Sequence, residues 1–430
     1  MKKILLPILV MLMLGGALLQ PTKSEAGSLS TRGVWISVFN YEELGLCADQ
    51  SEAQFRANAN TVFRRVKENG CNTVYYHVRS FDDAIYPSKI VGWSKYFLNK
   101  SSAPSYDPLS ILLASAHKYG LKFHVWMNPY RVTYQKVLDP AKSTTTERIS
   151  AHVSEILNHY KVDGIHFDDY FYPTNEKKYQ SLSEKKKKTN VNNMVKTIYS
   201  VVKKKNKKLL FGISPAGNPE YCDRIGADVA TWLSEAGYVD YIVPQIYWTN
   251  EYREDGKKTA YFSKKLEEWR QMNTLDIPMY IGLALNRGGS NLKADPGWKN
   301  SSRNIADMLK LIRQGNSEGY VLFDYNSLYR DETAKEVKNY LVTLAKFRLN
   351  VKKKTLKVGK KYKLKLYGQW PTRIKGKIKF KSMNKKIATV TKSGGVKAKK
   401  KGKVKIVAYY GSKKKTCTIT VKPKKSKRAK

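Results

Sequence analysis

The chain is 430 residues long and carries 80 Lys+Arg against 35 Asp+Glu, a formal net charge of +45. That length suggests two or three domains at roughly 150 residues each, and 41% hydrophobic with 12% aromatic residues excludes disorder throughout. The charge is unevenly divided: residues 346–430 hold 33 basic side chains and no acid, whereas the 345 residues before them hold 47 basic against 35 acidic, or +12. A segment of that kind points to a polyanionic partner, whether nucleic acid, an anionic membrane or an acidic wall polymer.

The N-terminus reads as a secretory signal peptide over residues 1–26, with Lys2 and Lys3, an apolar stretch from Ile4 to Leu19, and Ser24-Glu25-Ala26 before Gly27 as a small-x-small cleavage site. An uncleaved membrane anchor is the competing reading. No other segment is apolar and long enough to span a bilayer, so no transmembrane segment is expected after cleavage. Export makes genomic DNA a poor partner and favours a secreted, wall-associated protein. Four cysteines, Cys47, Cys71, Cys222 and Cys417, are too few and scattered for a disulfide framework or a zinc site. No metal, no cofactor and no Cys47–Cys71 disulfide are expected.

From residue 27 to 346 short apolar strands alternate with amphipathic helices. Eight strand-like runs are countable, at 33–39, 73–79, 122–127, 164–168, 209–214, 241–247, 279–284 and 319–324. Between them lie helical patterns such as 52–68, with Phe55, Ala59, Val62, Phe63 and Val66 on one face and Gly70 as its stop, and 108–119, stopped by Gly120. Eight such units predict an α/β fold, a (β/α)8 TIM barrel; no GxGxxG opens the first helix, which disfavours a doubly wound sheet. The Lys-rich runs 185–188 and 203–208 read as solvated helix surface. Beyond Phe347, apolar residues alternate with Lys at 361–367, 374–380, 403–408 and 417–421, as half-buried antiparallel strands do. A small C-terminal β-sandwich over 347–422 follows, then a basic tail over 423–430.

Catalytic groups in such barrels stand at the C-terminal ends of the strands. The polar residues there are Arg79, Asp82 and Asp83 after strand two; His124, Asn128 and Arg131 at strand three; and His166, Asp168, Asp169 and Tyr170 at strand four. Ser214 and Asn218 follow on strand five, then Gln245, Tyr247 and Trp248 on strand six, Asn286 on strand seven and Asp324 on strand eight. Carboxylates flanked by aromatic faces and donors suit acid/base cleavage of a glycosidic bond. Alternation along strand four turns Asp168 into the mouth; Asp169 needs a bulge at the strand end to join it.

Residues 32–330 resemble the glycosyl hydrolase-like 10 family. The resemblance rests on Arg32-Gly-Val-Trp35, Asp83-Ala-Ile-Tyr-Pro-Ser88, Asn128-Pro-Tyr-Arg131, Asp163-Gly-Ile-His-Phe-Asp-Asp-Tyr-Phe-Tyr-Pro173 and Asp240-Tyr-Ile-Val-Pro-Gln-Ile-Tyr-Trp248. It implies a secreted glycan hydrolase, with members acting on peptidoglycan strands that lack stem peptides. Strand four also resembles the family 18 chitinase motif Asp-Gly-x-Asp-x-Asp-x-Glu, but His166 replaces one Asp and Tyr170 stands where that family keeps its acid. The acid must come from elsewhere: Asp169 first, then Asp83 or Asp324. Residues 351–421 resemble a group 2 bacterial immunoglobulin-like domain, through Leu356-Lys-Val-Gly359, Lys386-Ile-Ala-Thr-Val390, Gly394-Gly-Val-Lys-Ala398 and Gly402.

The expectation is therefore a monomeric glycoside hydrolase acting on cell-wall glycan, the polysaccharide substrate being peptide-free peptidoglycan strands. Asp168 and Asp169 are the expected catalytic pair. Arg79, Asp83, His124, Asn128, Arg131, His166, Gln245, Tyr247, Trp248 and Asp324 are the expected sugar contacts. Residues 347–430 are expected to hold an anionic wall polymer and no specific nucleic acid. A metal-dependent carbohydrate deacetylase, suggested by Phe167-Asp-Asp169 but lacking a His-x-x-x-His pair, and a non-catalytic wall adhesin are the alternatives.

Overall fold

A computed structural model describes residues 29–315 and 318–424. The expected signal peptide with its cleavage site, and the tail beyond residue 424, lie outside the described residues. The eight expected barrel strands form as β1 (Arg32–Ile36), β2 (Thr73–Arg79), β3 (Lys122–Met127), β4 (Gly164–Phe167), β5 (Leu210–Ile213), β6 (Tyr241–Ile242), β7 (Tyr280–Leu283) and β8 (Gly319–Leu322). They are hydrogen-bonded in the order β6-β5-β4-β3-β2-β1-β8-β7. Parallel bridges from Ile242 to Met279 and from Gln245 to Gly282 join β6 to β7 and close the barrel. The run at 241–247 shortens to two ladder residues because Pro244 has no N–H to give.

Local chemistry sets the surrounding helices. Helix Glu52–Glu68 starts where the Ser51 side chain accepts from Gln54 N, and helix Pro108–Lys118 starts on Asp107 with proline in its first turn. The apolar faces read from the sequence are buried against the barrel. Glycines make room for large rings inside it: a Cβ on Gly212 would sit 2.3 Å from the Tyr241 ring, and one on Gly164 would sit 2.7 Å from His124. Trp35, Tyr75, Trp126, Tyr241, Val243 and Val321 pack in that space, so the barrel is a filled core with a mouth above it. In helix Glu184–Lys205 the lysines are not all solvated. Lys187 is buried and donates to Arg224 O at 3.2 Å, and Lys203 pairs with Asp240 at 2.6 Å.

The C-terminal module is built from three small sheets. One four-stranded sheet runs in the order Lys353–Lys357, Lys413–Lys422, Gly402–Tyr410, Lys379–Ser382. Its alternation is the one read from the sequence, with Val404, Ile406, Ala408, Cys417, Ile419 and Val421 inside, Lys403 and Lys405 outward, and Thr418 and Thr420 half-buried between them. The strand expected at 374–380 begins only at Lys379; Pro371 and the positive φ of Gly376 interrupt the extended backbone, and Thr372–Ile374 forms a single 3-10 turn. The module docks on the barrel at the end where the strands begin. Arg373 donates to Asn69 Oδ1 at 2.7 Å and Leu328 O at 2.8 Å, and Lys413 Nζ donates to Thr343 O and Ala345 O at 2.9 and 2.6 Å. All four cysteines are buried and free. Among the described residues no helix is long and apolar enough to cross a membrane.

Candidate active site

Strand β4 ends at Phe167, so the two acids after it escape strict alternation, and the Asp169 N–H turns back onto the Asp168 carboxylate. Asp168 is 6% exposed. Its Oδ1 accepts from Gln245 Nε2 at 3.0 Å and from the Asp169 N–H at 2.9 Å, and its Oδ2 accepts from Trp126 Nε1 at 3.2 Å. Burial pushes the Asp168 carboxyl up while these donors pull it back. Asp169 is pushed well above the ordinary carboxyl range, first by burial and then by the adjacent Asp168 charge and their shared hydrogen bond. Of the two carboxyls, Asp168 is the one that accepts three donors, and Asp169 is the one pushed up by its neighbour's charge.

Rings frame the pair. Tyr247 lies close enough for both aspartates to raise its hydroxyl pKa, after burial as the leading cause, and Arg287 fixes its backbone by donating to Tyr247 O at 2.7 Å. Tyr170 is 42% exposed, with the Arg131 guanidinium 3.9 Å above its ring centroid. The same guanidinium lies 5.0 Å from Tyr134 and 5.3 Å from Phe81. Phe39, 59% exposed, and Tyr134, 53% exposed, stack at 6.4 Å, with Tyr96 edge-on to Phe39 at 5.5 Å. Loops after β1, β2, β3 and β4 thus assemble one aromatic platform leading away from the carboxyl pair. On the other flank Trp248 packs edge-on to Tyr261 at 5.1 Å.

Of the expected residues, the structure brings together Asp168, Asp169, Arg131, Gln245, Tyr247 and, on the far flank, Trp248. The structure places six others in hydrogen-bond networks around and beneath the mouth, Asp83 among them beside the platform rings Phe81, Tyr96 and Tyr134. His166 is fully buried, with Nδ1 on Tyr241 Oη and Nε2 on Ser214 Oγ, both at 3.1 Å, and His124 Nδ1 meets the same Tyr241 hydroxyl at 2.8 Å. These imidazoles fill the barrel beneath the mouth. Arg79, 1% exposed, points under the loop after β3, donating to Pro129 O at 3.2 Å and pairing with Asp82. Asn128 donates to Ser80 O at 2.9 Å, and Asp83 accepts from the Ser80 and Phe81 amides, both at 2.9 Å. Asp324 accepts from Ser327 Oγ at 2.6 Å and Asn40 Nδ2 at 3.0 Å, which ties the β8 and β1 loops together. Asp82, though half-buried, is held well below the usual carboxylate range by His152, Arg148 and Arg79. Sequence reasoning missed Trp126 as a donor to Asp168, although inward alternation on β3 marks it, and it missed Phe39, Phe81, Tyr96 and Tyr134, whose only sequence signal is aromatic residues within polar loops.

A filled (β/α)8 barrel with a carboxyl pair and exposed rings at its mouth defines a glycoside hydrolase type of fold and site. Comparison with known proteins narrows the class. The chain belongs to the glycosyl hydrolase-like 10 family, whose profile matches residues 30–136 and 131–300, and the bacterial Ig-like domain (group 2) profile matches residues 344–421. Glycosyl hydrolase DigH of Escherichia coli (strain K12) is 26% identical over 392 residues, covering 74% of this chain and 88% of the relative. Glycosyl hydrolase YngK of Bacillus subtilis (strain 168) is 28% identical over 331 residues, covering 62% of each chain. The PgaB (BpsB) glycoside hydrolase domain of Bordetella bronchiseptica shares the fold at 12% identity and a TM-score of 0.51, over 71% of this chain and 98% of that one. The protein is an enzyme of the glycoside hydrolase class.

Proposed function

We propose that this glycoside hydrolase is exported and cleaves peptide-free peptidoglycan strands, using Asp169 as general acid and the 2-acetamido group of the substrate as nucleophile, oriented by Asp168. One observation carries the reading: two consecutive acids follow β4 at the mouth, the Asp169 N–H donating to Asp168 Oδ1 at 2.9 Å. An acid and a nucleophile that flank a bond stand about 5 Å apart, and an inverting pair about 6.5–9.5 Å apart. Acids on consecutive residues fit neither arrangement. They fit a substrate that brings its own nucleophile, and both alternating sugars of peptidoglycan carry the acetamide that does so. The acetamide carbonyl attacks the anomeric carbon as Asp169 protonates the leaving oxygen, Asp168 steadies the acetamide N–H, and water then opens the cyclic intermediate with retention.

The platform running from Tyr170 to Phe39 supports binding of several sugars on one side of the cut. The acid-free module supports retention on an anionic wall polymer, by a charge effect that salt screens. The deacetylase alternative needs histidines beside Asp168 and Asp169, whereas both ring nitrogens of His166 are engaged inside the barrel. The decisive experiment digests peptide-free glycan strands and chitin oligomers in parallel, with mass analysis of products and NMR of the new anomer. Shortened strands released as the retained anomer uphold the proposal. Acetate release without shortening supports the deacetylase, and retention on walls without any sugar release supports the adhesin.

A further inference from the structure

Between the barrel and the module lies a cleft of about 430 Å³, and its lining is unusual in sign. Arg32, Lys67, Arg313 and Lys346 line it, beside Gln369 and Trp370. None of the ion pairs among the described residues involves these four cations or Lys413 behind them. Arg313 and Lys413 converge on a single carbonyl, Thr343 O, at 3.4 and 2.9 Å. Arg313 Nε is buried with no hydrogen-bond partner. Arg32 spends Nε on Gly70 O and Nη1 on Leu29 O, which leaves its outer edge toward the cleft.

Like charges gathered in a half-enclosed site repel, and the effect registers on Lys413, whose ammonium is brought down to about 8 by burial and by the charges of Arg313, Lys346 and Lys415. The carbonyls at the end of helix Ala334–Leu344 satisfy Lys413 but leave the other cations with donors to spare. We propose that this cleft binds a phosphate oxyanion, with Arg313, Lys346 and Arg32 as its donors and Trp370 against the sugar or polyol that bears it. The Arg313 edge not used on Thr343 O, the Arg32 Nη2 and the Lys346 ammonium together supply more donors than a carboxylate's two oxygens can take, and a tetrahedral oxyanion uses them. The site is remote from the carboxyl pair. It deepens the wall-retention reading of the module and does not depend on the catalytic one.

Calorimetric titration of the full chain with inorganic phosphate, at constant ionic strength and with acetate as control, tests the site. One saturable phosphate per chain is expected, weakened about ten-fold or more in Arg313→Gln and in Lys346→Gln and unchanged in Lys361→Gln, an exposed lysine elsewhere on the module. Lys346 is itself exposed, so its replacement leaves folding intact. Phosphate should also raise the Lys413 titration followed by side-chain NMR, because the anion relieves the repulsion. A poly(glycerol phosphate) chain that competes with free phosphate identifies the source as a phosphodiester polymer, and competition only by a phosphomonoester identifies a small ligand; both uphold the oxyanion site. Absence of saturable phosphate binding, or equal loss in Lys361→Gln, overturns it. Glycan turnover should be unchanged in all three variants, which separates failure of this site from failure of the catalytic reading.

Discussion

Replacing Asp169 by Asn tests the division of labour within the carboxyl pair. Burial and the Asp168 charge both push the Asp169 carboxyl up, whereas Asp168 is held by Gln245, Trp126 and the Asp169 amide. A positioned general acid contributes about a hundred- to ten-thousand-fold, or roughly 3–5 kcal/mol of barrier. Asp169→Asn should lose that factor in kcat on peptide-free glycan, where the leaving oxygen is basic. It should lose far less on a 4-nitrophenyl 2-acetamido glycoside, whose leaving group departs without a proton. Asp168→Asn should fail on both substrates, since acetamide orientation is needed whatever the leaving group. For the wild type, kcat should fall as pH rises through the elevated Asp169 pKa, because the protonated form is the active one. In Asp168→Asn the Asp169 carboxyl, followed by carbon NMR, should titrate at lower pH, the neighbouring charge being gone. Equal losses on glycan and aryl glycoside in Asp169→Asn would refute the assignment of the acid.

The other predictions concern the supports of the pair and the packing beneath it. Trp126→Phe removes one charge-assisted donor to Asp168 while keeping the ring that stacks on His77 at 3.8 Å; the loss of about 1.5–3 kcal/mol should lower kcat roughly ten- to hundred-fold, and an unchanged kcat would remove Trp126 from the site. Phe39→Ala and Tyr134→Ala strip exposed rings worth about 1 kcal/mol each against a sugar face, so KM should rise about five-fold on long strands and stay level on disaccharides; parallel rises on both would place the rings outside the glycan path. Glu336, buried where Asn304 N and Ile305 N donate to it, is raised from 4.5 to about 7 because burial outweighs those donors. Its folded pKa exceeds the unfolded one, so its contribution is complete below about pH 4.5 and lost as pH rises through 7, roughly 3 kcal/mol in all. Urea denaturation across pH 5–8 should show that slope in the wild type and a flatter profile in Glu336→Gln; identical slopes would refute it. Burial lowers His124 to about 4 and His77 to about 3, so the stability they give above pH 6.5 should drain away as pH falls toward 4, and urea midpoints flat between pH 6.5 and 5 would count against neutral buried imidazoles.

Strand order and helix faces were legible because each follows from a period. Eight apolar runs with helices between them leave few closures other than a barrel, and Asp168 falls at a strand end by simple alternation. What resisted was depth along the barrel axis. His124, His166 and Asp168 all point inward, and nothing in their spacing tells which layer each occupies. Depth depends on Gly164 and Gly212, which admit the His124 and Tyr241 rings and let the imidazoles pack as core. Loop acids posed a similar problem. Asp83, Asp168 and Asp324 are all strand-end carboxylates in the sequence, but only Asp168 meets a second acid; the amides and hydroxyls that engage Asp83 and Asp324 become neighbours only after the loops have turned.

The division of charge has a geometric counterpart. The module meets the barrel through Asn69, Thr343 and Ala345, residues at the end where helices finish and strands begin, whereas the carboxyl pair sits where β4 ends. A polymer held by the lysine-rich faces therefore lies away from the mouth, and the strand being cut need not be the strand being held. If retention serves to concentrate the enzyme rather than to feed the site, cutting the chain between barrel and module should leave kcat on soluble glycan oligomers unchanged while lowering activity on intact walls, most of all at low salt where the Debye length is about 30 Å. Equal loss on oligomers and walls would instead make the docked module a part of the barrel's own stability, as the half-buried Lys413 and Arg373 contacts would then require.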